Sequence, residues 1–209
     1  MKPKIFDSHN ETDFRYTACL NYGLDAYPFV RGYKEAADIL IQNLSETDGR
    51  SIDGLVYPIC YLYRHHIEIF IKDIIHVCGY LYDDIEEEAN KFLAKRSHSI
   101  SGLWNKLKEY LIISGEYETE IPEELAQFDH LISELSVFDP SGTAFRYHKD
   151  TNGRILLQNP ETKEPVRHCD VFALHDEMQK LSKILECVDM DLSVKLDFKL
   201  DYIREMQEY

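Results

Sequence analysis

The stretch GLVYPICYLYRHHIEIFIKDIIHVCGYL, residues 54–81, decides the fold of this chain. Its apolar side chains are spread around the whole circumference of a helix: Leu55, Val56, Ile59, Leu62, Ile67, Ile69, Phe70, Ile74, Ile75 and Val77. A helix that is apolar on all sides is a buried one. Pro58 is tolerable in a first helical turn, where a missing N–H costs little. The stretch therefore predicts one long helix at the centre of a helical bundle.

Apolar periodicity predicts further helices around this one. They span about 33–44, 83–95, 103–111 and 121–135, and a last one covers about 170–205. Apolar residues of the last helix alternate in steps of four and three: Leu174, Met178, Leu181, Leu185, Val188 and Leu192. Such a heptad seam must be covered by the chain's own core or by another chain. We expect a homodimer through this C-terminal helix.

A small β-hairpin is predicted ahead of the C-terminal helix. Asn152-Gly153 supplies the positive φ of a tight hairpin turn, and the flanking segments 143–148 and 154–157 would form its strands. The predicted fold is mainly α, an up-and-down helical bundle with this hairpin inserted before a long C-terminal helix. We expect one domain, 1–209, with a core bundle at about 30–137, a hairpin at about 143–158 and a helix at about 170–205.

Composition excludes several classes of function for this chain. At 209 residues and 44% hydrophobic content the chain can bury one sizeable core, while a net charge of −15 argues against loose nucleic-acid binding.

The chain has neither a signal pattern at its start nor an apolar run near the ~18 residues of a membrane span, so we expect a cytoplasmic protein without membrane contact. Five scattered cysteines suggest reduced core residues. Fingerprints for nucleotides or hydrolase triads are missing, and we predict no cofactor and no metal.

A polar stripe runs down the otherwise apolar central helix. Its residues step by four, three, four and four: Tyr57, Tyr61, Arg64, Glu68 and Lys72. This spacing places all five on one helix face, with His65 at the margin. Buried polar groups must be paired, so we expect an Arg64–Glu68 ion pair in a cleft or against a neighbouring helix. The stripe is either a phosphate or base pocket or an internal salt-bridge ladder that sets helix register.

Several short segments carry a family resemblance. They are YPICYLYRHHIE at 57–68, then Lys72, His98 ahead of Leu103-Trp104, and Phe138-Asp139-Pro140 with Phe145-Arg146-Tyr147. Over residues of about 55–155 the chain resembles bacterial HEPN-like helical proteins. The resemblance implies an up-and-down bundle that often dimerises, and many HEPN members are metal-independent ribonucleases in toxin–antitoxin or phage-defence systems. Nuclease members have an arginine followed, after four to six residues, by a histidine, and no arginine here has a histidine at that spacing.

Metal-independent RNA cleavage needs a general base and acid with cations near the phosphate. Only a non-local assembly can supply them here, and the candidate catalytic residues are His98, Arg146 and Arg64. The candidate ligand-binding residues are Tyr57, Tyr61, Arg64, His65, Glu68 and Lys72. The alternative interpretation of His98 is a capping or core hydrogen bond. The alternative for Arg146 is a position on the solvent side of the hairpin without a catalytic role.

Two functions follow from these residues. The first is a HEPN-like protein that binds RNA or cleaves it as a metal-independent endoribonuclease, in bacterial stress, toxin–antitoxin or antiviral defence. The alternative is a non-catalytic helical adaptor or dimerisation module that recruits a partner protein. The missing arginine-to-histidine spacing and the acidic charge favour the adaptor, and the cations and tyrosines on one helix face favour RNA.

Overall fold

A computed structural model of the chain describes residues 18, 26–46, 51–95, 98–115 and 121–207. Within these ranges the protein is mainly helical. The helices are α1 (Tyr27–Glu46), α2 (Ile52–Leu81), α3 (Asp83–Ala94), α4 (Ile100–Ile113), α5 (Glu123–Ala126), α6 (Asp129–Phe138) and α7 (Val171–Gln207). None of them is both long enough and apolar enough to cross a membrane.

Helix α2 lies at the centre, as its sequence predicts. It packs against α1, α3, α4 and α7, and its buried residues point to several sides of the helix. The helix begins at Ile52, two residues before the predicted start, so Pro58 lies inside it and not in its first turn. Because proline has no N–H, the Gly54 carbonyl receives no helical hydrogen bond from Pro58.

The heptad seam of α7 faces the chain's own core. Five of its six residues are buried in the hydrophobic core of the bundle: Met178, Leu181, Leu185, Val188 and Leu192. The seam is therefore covered by the chain's own core, and not by a second chain as we expected. Further along α7, Lys199 Nζ bonds the carbonyls of Tyr80 and Leu81 and the carboxylate of Asp83, at 2.9, 3.1 and 2.6 Å. A lysine there suits the negative end of α2 and holds α7 against it.

The β-hairpin is not confirmed, because the described residues contain no β-strand. The tight turn forms as predicted, with Gly153 at φ +80° and Asp150 Oδ1 accepting the amides of Asn152 and Arg154. The first predicted strand instead begins as a helical turn, in which the amides of residues 146 and 147 bond the Thr143 carbonyl. Among the described residues two isolated antiparallel bridges form in place of a ladder, Lys149–Ile155 and Gln158–Pro165. Local hydrogen bonds satisfy backbone groups that a ladder would need.

The predicted helix at 121–135 is in fact two, α5 and α6. The chain bends at Phe128, whose amide bonds the carbonyl of Leu125, three residues back, at 3.2 Å. A bond to the residue three back tightens the turn and interrupts the α-helical pattern. Phe128 is fully buried, so core packing pulls the chain inward at this point.

Candidate functional site

Two charged side chains of the polar stripe are buried together. Arg64 and Glu68 are each 2% exposed, and Nη1 of Arg64 lies 2.8 Å from Oε2 of Glu68. The predicted ion pair is therefore confirmed. A buried pair of this kind needs further hydrogen bonds to offset the cost of removing both charges from water.

Arg64 finds those further partners on two other elements. Its Nη2 donates to the backbone carbonyl of His98 at 2.6 Å, ahead of α4. Its Nε donates to the carbonyl of Asp139 at 3.3 Å, after α6, and lies 3.2 Å from the carboxylate oxygen Oδ2 of the same residue. The guanidinium is turned away from solvent, so we assign Arg64 a positioning role in place of the predicted phosphate contact.

The turn after α6 is built to receive Arg64. Asp139 Oδ1 accepts the amides of Thr143 and Ala144, at 2.7 and 2.8 Å, which closes the chain into a tight loop. Gly142 lies in this loop with φ +70°, a conformation that favours glycine. The same loop carries Arg146, whose Nε donates to the Gly142 carbonyl at 2.9 Å. Arg64 thereby fixes the loop from which Arg146 reaches the surface.

Glu68 joins the buried cluster to the surface. Its Oε1 accepts hydrogen bonds from Lys72 Nζ at 2.7 Å and from His98 Nδ1 at 2.8 Å. Burial by itself would raise the pKa of Glu68, but the hydrogen bonds from Lys72, His98 and Arg64 outweigh it and lower this pKa to about 2. Glu68 is therefore ionised at neutral pH and accepts hydrogen bonds only.

The Glu68 contact fixes the state of His98. Because a carboxylate only accepts, Nδ1 of His98 carries the proton, and in a neutral ring Nε2 keeps its lone pair. The His98 side chain is 57% exposed, so the imidazole is open to solvent. Lys72 and His98 converge on one oxygen of Glu68, which places a cation beside the imidazole.

An aromatic and cationic group lies on the same face of α2. The His65 ring stacks on Tyr61 at a centroid distance of 5.4 Å and meets the edge of Tyr33 at 4.5 Å. Arg146 Cζ lies 5.6 Å from the Tyr61 centroid and 5.4 Å from that of Tyr147. Tyr61 is thus contacted by both His65 and Arg146, whereas Tyr147 is 57% exposed.

His65 is neutral at physiological pH. Burial lowers the pKa of its imidazole, and the nearby charges of Lys72, Arg64 and Arg146 lower it further, against an opposing effect of Glu68. The charged residues around His65 therefore belong both to the cluster of Arg64, Glu68 and Lys72 and to the aromatic group that contains Arg146. Its ring contacts are to Tyr33 and Tyr61.

The structure brings most of the predicted site residues together. Glu68, Lys72 and His98 are in direct contact, and Tyr61, His65 and Arg146 form the adjoining group. Tyr57 faces elsewhere, into a cavity of about 810 Å³ between α2, α6 and the segment before α7. Within this cluster the three cations Arg64, Lys72 and Arg146 outnumber the two anions Glu68 and Asp139 by one charge.

A second polar network between α1, α2 and α7 was not predicted. The Tyr63 hydroxyl donates to Asp38 at 2.6 Å and contacts His175 Nδ1 at 2.5 Å, while Gln179 and Lys34 bond the same carboxylate at 2.7 and 2.8 Å. Its α7 member His175 lies 112 residues along the chain from Tyr63. The sequence carries no local signal that would connect them.

His66 is a buried histidine that the sequence reasoning also missed. Its Nδ1 donates to the Val30 carbonyl and its Nε2 accepts from the Ser182 hydroxyl, both at 2.8 Å. Burial lowers the pKa of His66 to about 4, against a smaller opposing effect of the Val30 hydrogen bond. This histidine holds three helices together as a neutral group.

Comparison of the chain with family models, with curated proteins and with solved structures gives no match.

Proposed function

We propose that this protein binds single-stranded RNA on the polar face of α2 and cleaves it without a metal, as a HEPN-like endoribonuclease in bacterial stress, toxin–antitoxin or antiviral defence. The observation that carries the proposal is the Glu68–His98 contact. It presents an exposed imidazole in one tautomer, with Lys72 bonded to the same carboxylate oxygen. A carboxylate that orients a histidine is a common arrangement for a general base.

Each part of the face has a role in this proposal. Nε2 of His98 takes the proton of the 2′-hydroxyl, and the 2′-oxygen forms a bond to the adjacent phosphorus. The bond from phosphorus to the 5′-oxygen breaks, and this oxygen leaves as a hydroxyl with a proton taken from water, so that a 2′,3′-cyclic phosphate remains. Lys72 and Arg146 stabilise the charge that develops on the phosphate oxygens. The exposed ring of Tyr147, next to Arg146, offers a surface on which a base stacks. Arg64 acts at a distance, by holding the loop of Arg146 and the chain at His98.

Charge sets the expected affinity. A net charge of −15 repels a polyanion at long range, and the local excess is a single positive charge. The proposal therefore calls for binding that is local, modest and strongly weakened by salt, because screening removes the few favourable contacts first.

The test is a binding and cleavage assay with labelled single-stranded RNA at low salt, in the presence and absence of EDTA. We expect cleavage to persist with EDTA and to fall by about 10²-fold or more in His98→Asn, which keeps a donor near Nδ1 but loses the base. Arg146→Gln and Lys72→Gln are expected to weaken RNA binding.

Lys91→Gln is the matched control, because Lys91 is an exposed lysine that pairs with Glu87 in the same spacing as Lys72 with Glu68. It should bind and cleave as the wild type does. Only variants with an unchanged melting temperature are compared. A wild-type protein that neither retains nor cuts RNA at low salt would overturn the proposal.

A second candidate function has its own observation. Five exposed apolar residues follow one another at spacings of four along the end of α7: Met190, Val194, Phe198, Tyr202 and Met206. Residues four apart share a ridge of a helix, and an exposed apolar ridge is typical of a surface that contacts another protein. A non-catalytic helical adaptor or dimerisation module is the better proposal if the RNA assay is negative.

A further inference from the structure

Two thiols from distant parts of the chain lie side by side next to the cavity of about 810 Å³. Sγ of Cys60, on α2, is 3.8 Å from Sγ of Cys169, in the irregular segment just before α7. Both residues line the cavity. The expectation of buried cysteines holds for Cys60 and Cys78, but Cys169 and Cys187 are exposed, and Cys19 lies outside the described residues.

We propose that Cys60 and Cys169 are a peroxide-responsive thiol pair that forms a reversible disulfide. Cys169 is the thiol that reacts first, because it is exposed while Cys60 is almost fully buried. Cys60 is the resolving thiol, and the cavity gives a small oxidant access to both. This modification is independent of any RNA activity of the chain.

The electronic setting agrees with that order. A hydrogen bond from Cys60 lowers the pKa of the Cys169 thiol, and this contact together with burial raises the pKa of Cys60. The thiolate is the reactive form of cysteine, so the exposed member of the pair is also the better nucleophile.

The reaction runs in two balanced steps. The Cys169 sulfur attacks one oxygen of hydrogen peroxide, the O–O bond breaks, and the second oxygen leaves as water with the thiol proton, which leaves a sulfenic acid. The Cys60 sulfur then displaces the hydroxyl of that sulfenic acid, so that an S–S bond forms, the S–O bond breaks and the Cys60 proton leaves in a second water. Two electrons pass from the two thiols to the peroxide.

The geometry allows the bond with a small movement. A disulfide needs the sulfurs at about 2.05 Å, so they must approach by roughly 2 Å. Cys169 belongs to an exposed segment outside any helix, which can shift, whereas Cys60 is held in α2. The bond would tie the segment between α6 and α7 to the central helix and close a loop of 109 residues.

The test treats the reduced full-length protein with about one equivalent of hydrogen peroxide and maps its peptides by mass spectrometry. We expect a Cys60–Cys169 cross-linked peptide, a fall in titratable thiols from five to three as two are consumed, and complete reversal by dithiothreitol. Closing so long a loop should raise the melting temperature of the oxidised protein by about 10 °C.

Three variants separate this pair from general oxidation. Cys187→Ser, at the other cysteine that is exposed among the described residues, should form the cross-link as the wild type does. Cys60→Ser should accumulate a sulfenic acid at Cys169 that dimedone traps, and Cys169→Ser should leave Cys60 reduced. If a cysteine variant does not fold, the wild-type peptide map decides alone. Oxidation of Cys187 before Cys169, or a Cys169 that oxidises without bonding to Cys60, would overturn the proposal.

Discussion

Gly142 packs directly against the guanidinium of Arg64. A Cβ atom placed on Gly142 would lie 2.7 Å from Nη1 of Arg64, closer than Cβ atoms approach other groups, and 3.1 Å from its Cζ. Arg64 cannot move aside freely, because its three nitrogens are bonded to Glu68, His98 and Asp139. The absence of a side chain at Gly142 therefore leaves the space that the buried guanidinium of Arg64 occupies.

This contact predicts a large effect of Gly142→Ala on stability. An alanine there pays about 1–2 kcal/mol for its positive φ and about 1–3 kcal/mol more for overpacking against Arg64. Gly153→Ala is the matched control, because Gly153 has φ +80° and open space around its Cβ position. Urea denaturation should show the Gly142 variant to be the less stable of the two. Equal losses in both variants would show that Arg64 does not require the space.

Glu68→Ala should cost far more than the loss of a surface ion pair. It leaves Arg64 buried without its partner, which typically costs about 3–5 kcal/mol. The control is Glu87→Ala, since Glu87 and Lys91 have the same spacing as Glu68 and Lys72 but are exposed to solvent. That variant is expected to lose about 0.5 kcal/mol or less. A melting temperature unchanged by Glu68→Ala would show that the stripe does not hold the helices in register.

His66 predicts a loss of stability in mild acid. The unfolded chain protonates this histidine below pH ~6.5, whereas the folded protein does so only near its lowered pKa of about 4. The unfolded state binds more protons between these values, so the free energy of unfolding falls as pH drops from ~6.5 to ~4, by on the order of 3 kcal/mol.

The measurement for His66 is a series of denaturation curves across this pH range. His66→Gln should flatten the dependence, since glutamine does not titrate. His76→Gln should leave it unchanged, because His76 is exposed on the same helix. A His66→Gln protein with the wild-type slope would contradict this account.

We expect any homodimer to form through the exposed apolar ridge at the end of α7, which runs from Met190 to Met206. Since the heptad seam is buried in the chain's own core, association requires a different surface, and Phe198 and Tyr202 are its largest exposed rings. We expect sedimentation to show a dimer at micromolar concentration and a monomer for the double variant Phe198→Ser, Tyr202→Ser. Ile39→Ser, at an exposed apolar residue of α1, should remain dimeric. A monomeric wild type would remove the dimer from consideration.

The sequence by itself determined those features that depend on residues close together in the chain. The apolar circumference of 54–81 fixed a buried central helix, and steps of three and four placed Arg64, Glu68 and Lys72 on one face. The Arg64–Glu68 pair followed, because partners one turn apart meet on any helix. The turn at Asn152-Gly153 was likewise local, since the residues that make it are neighbours in the chain.

Only the tertiary structure decided which distant groups complete these local patterns. It brought His98 and Asp139 to Arg64, and Ser182 to His66, over separations of 34, 75 and 116 residues. It also covered the α7 seam from within and replaced the predicted strands with locally bonded turns. Helical periodicity states which face is apolar or polar but not what packs against it, because that depends on how the whole chain divides its buried surface among the helices.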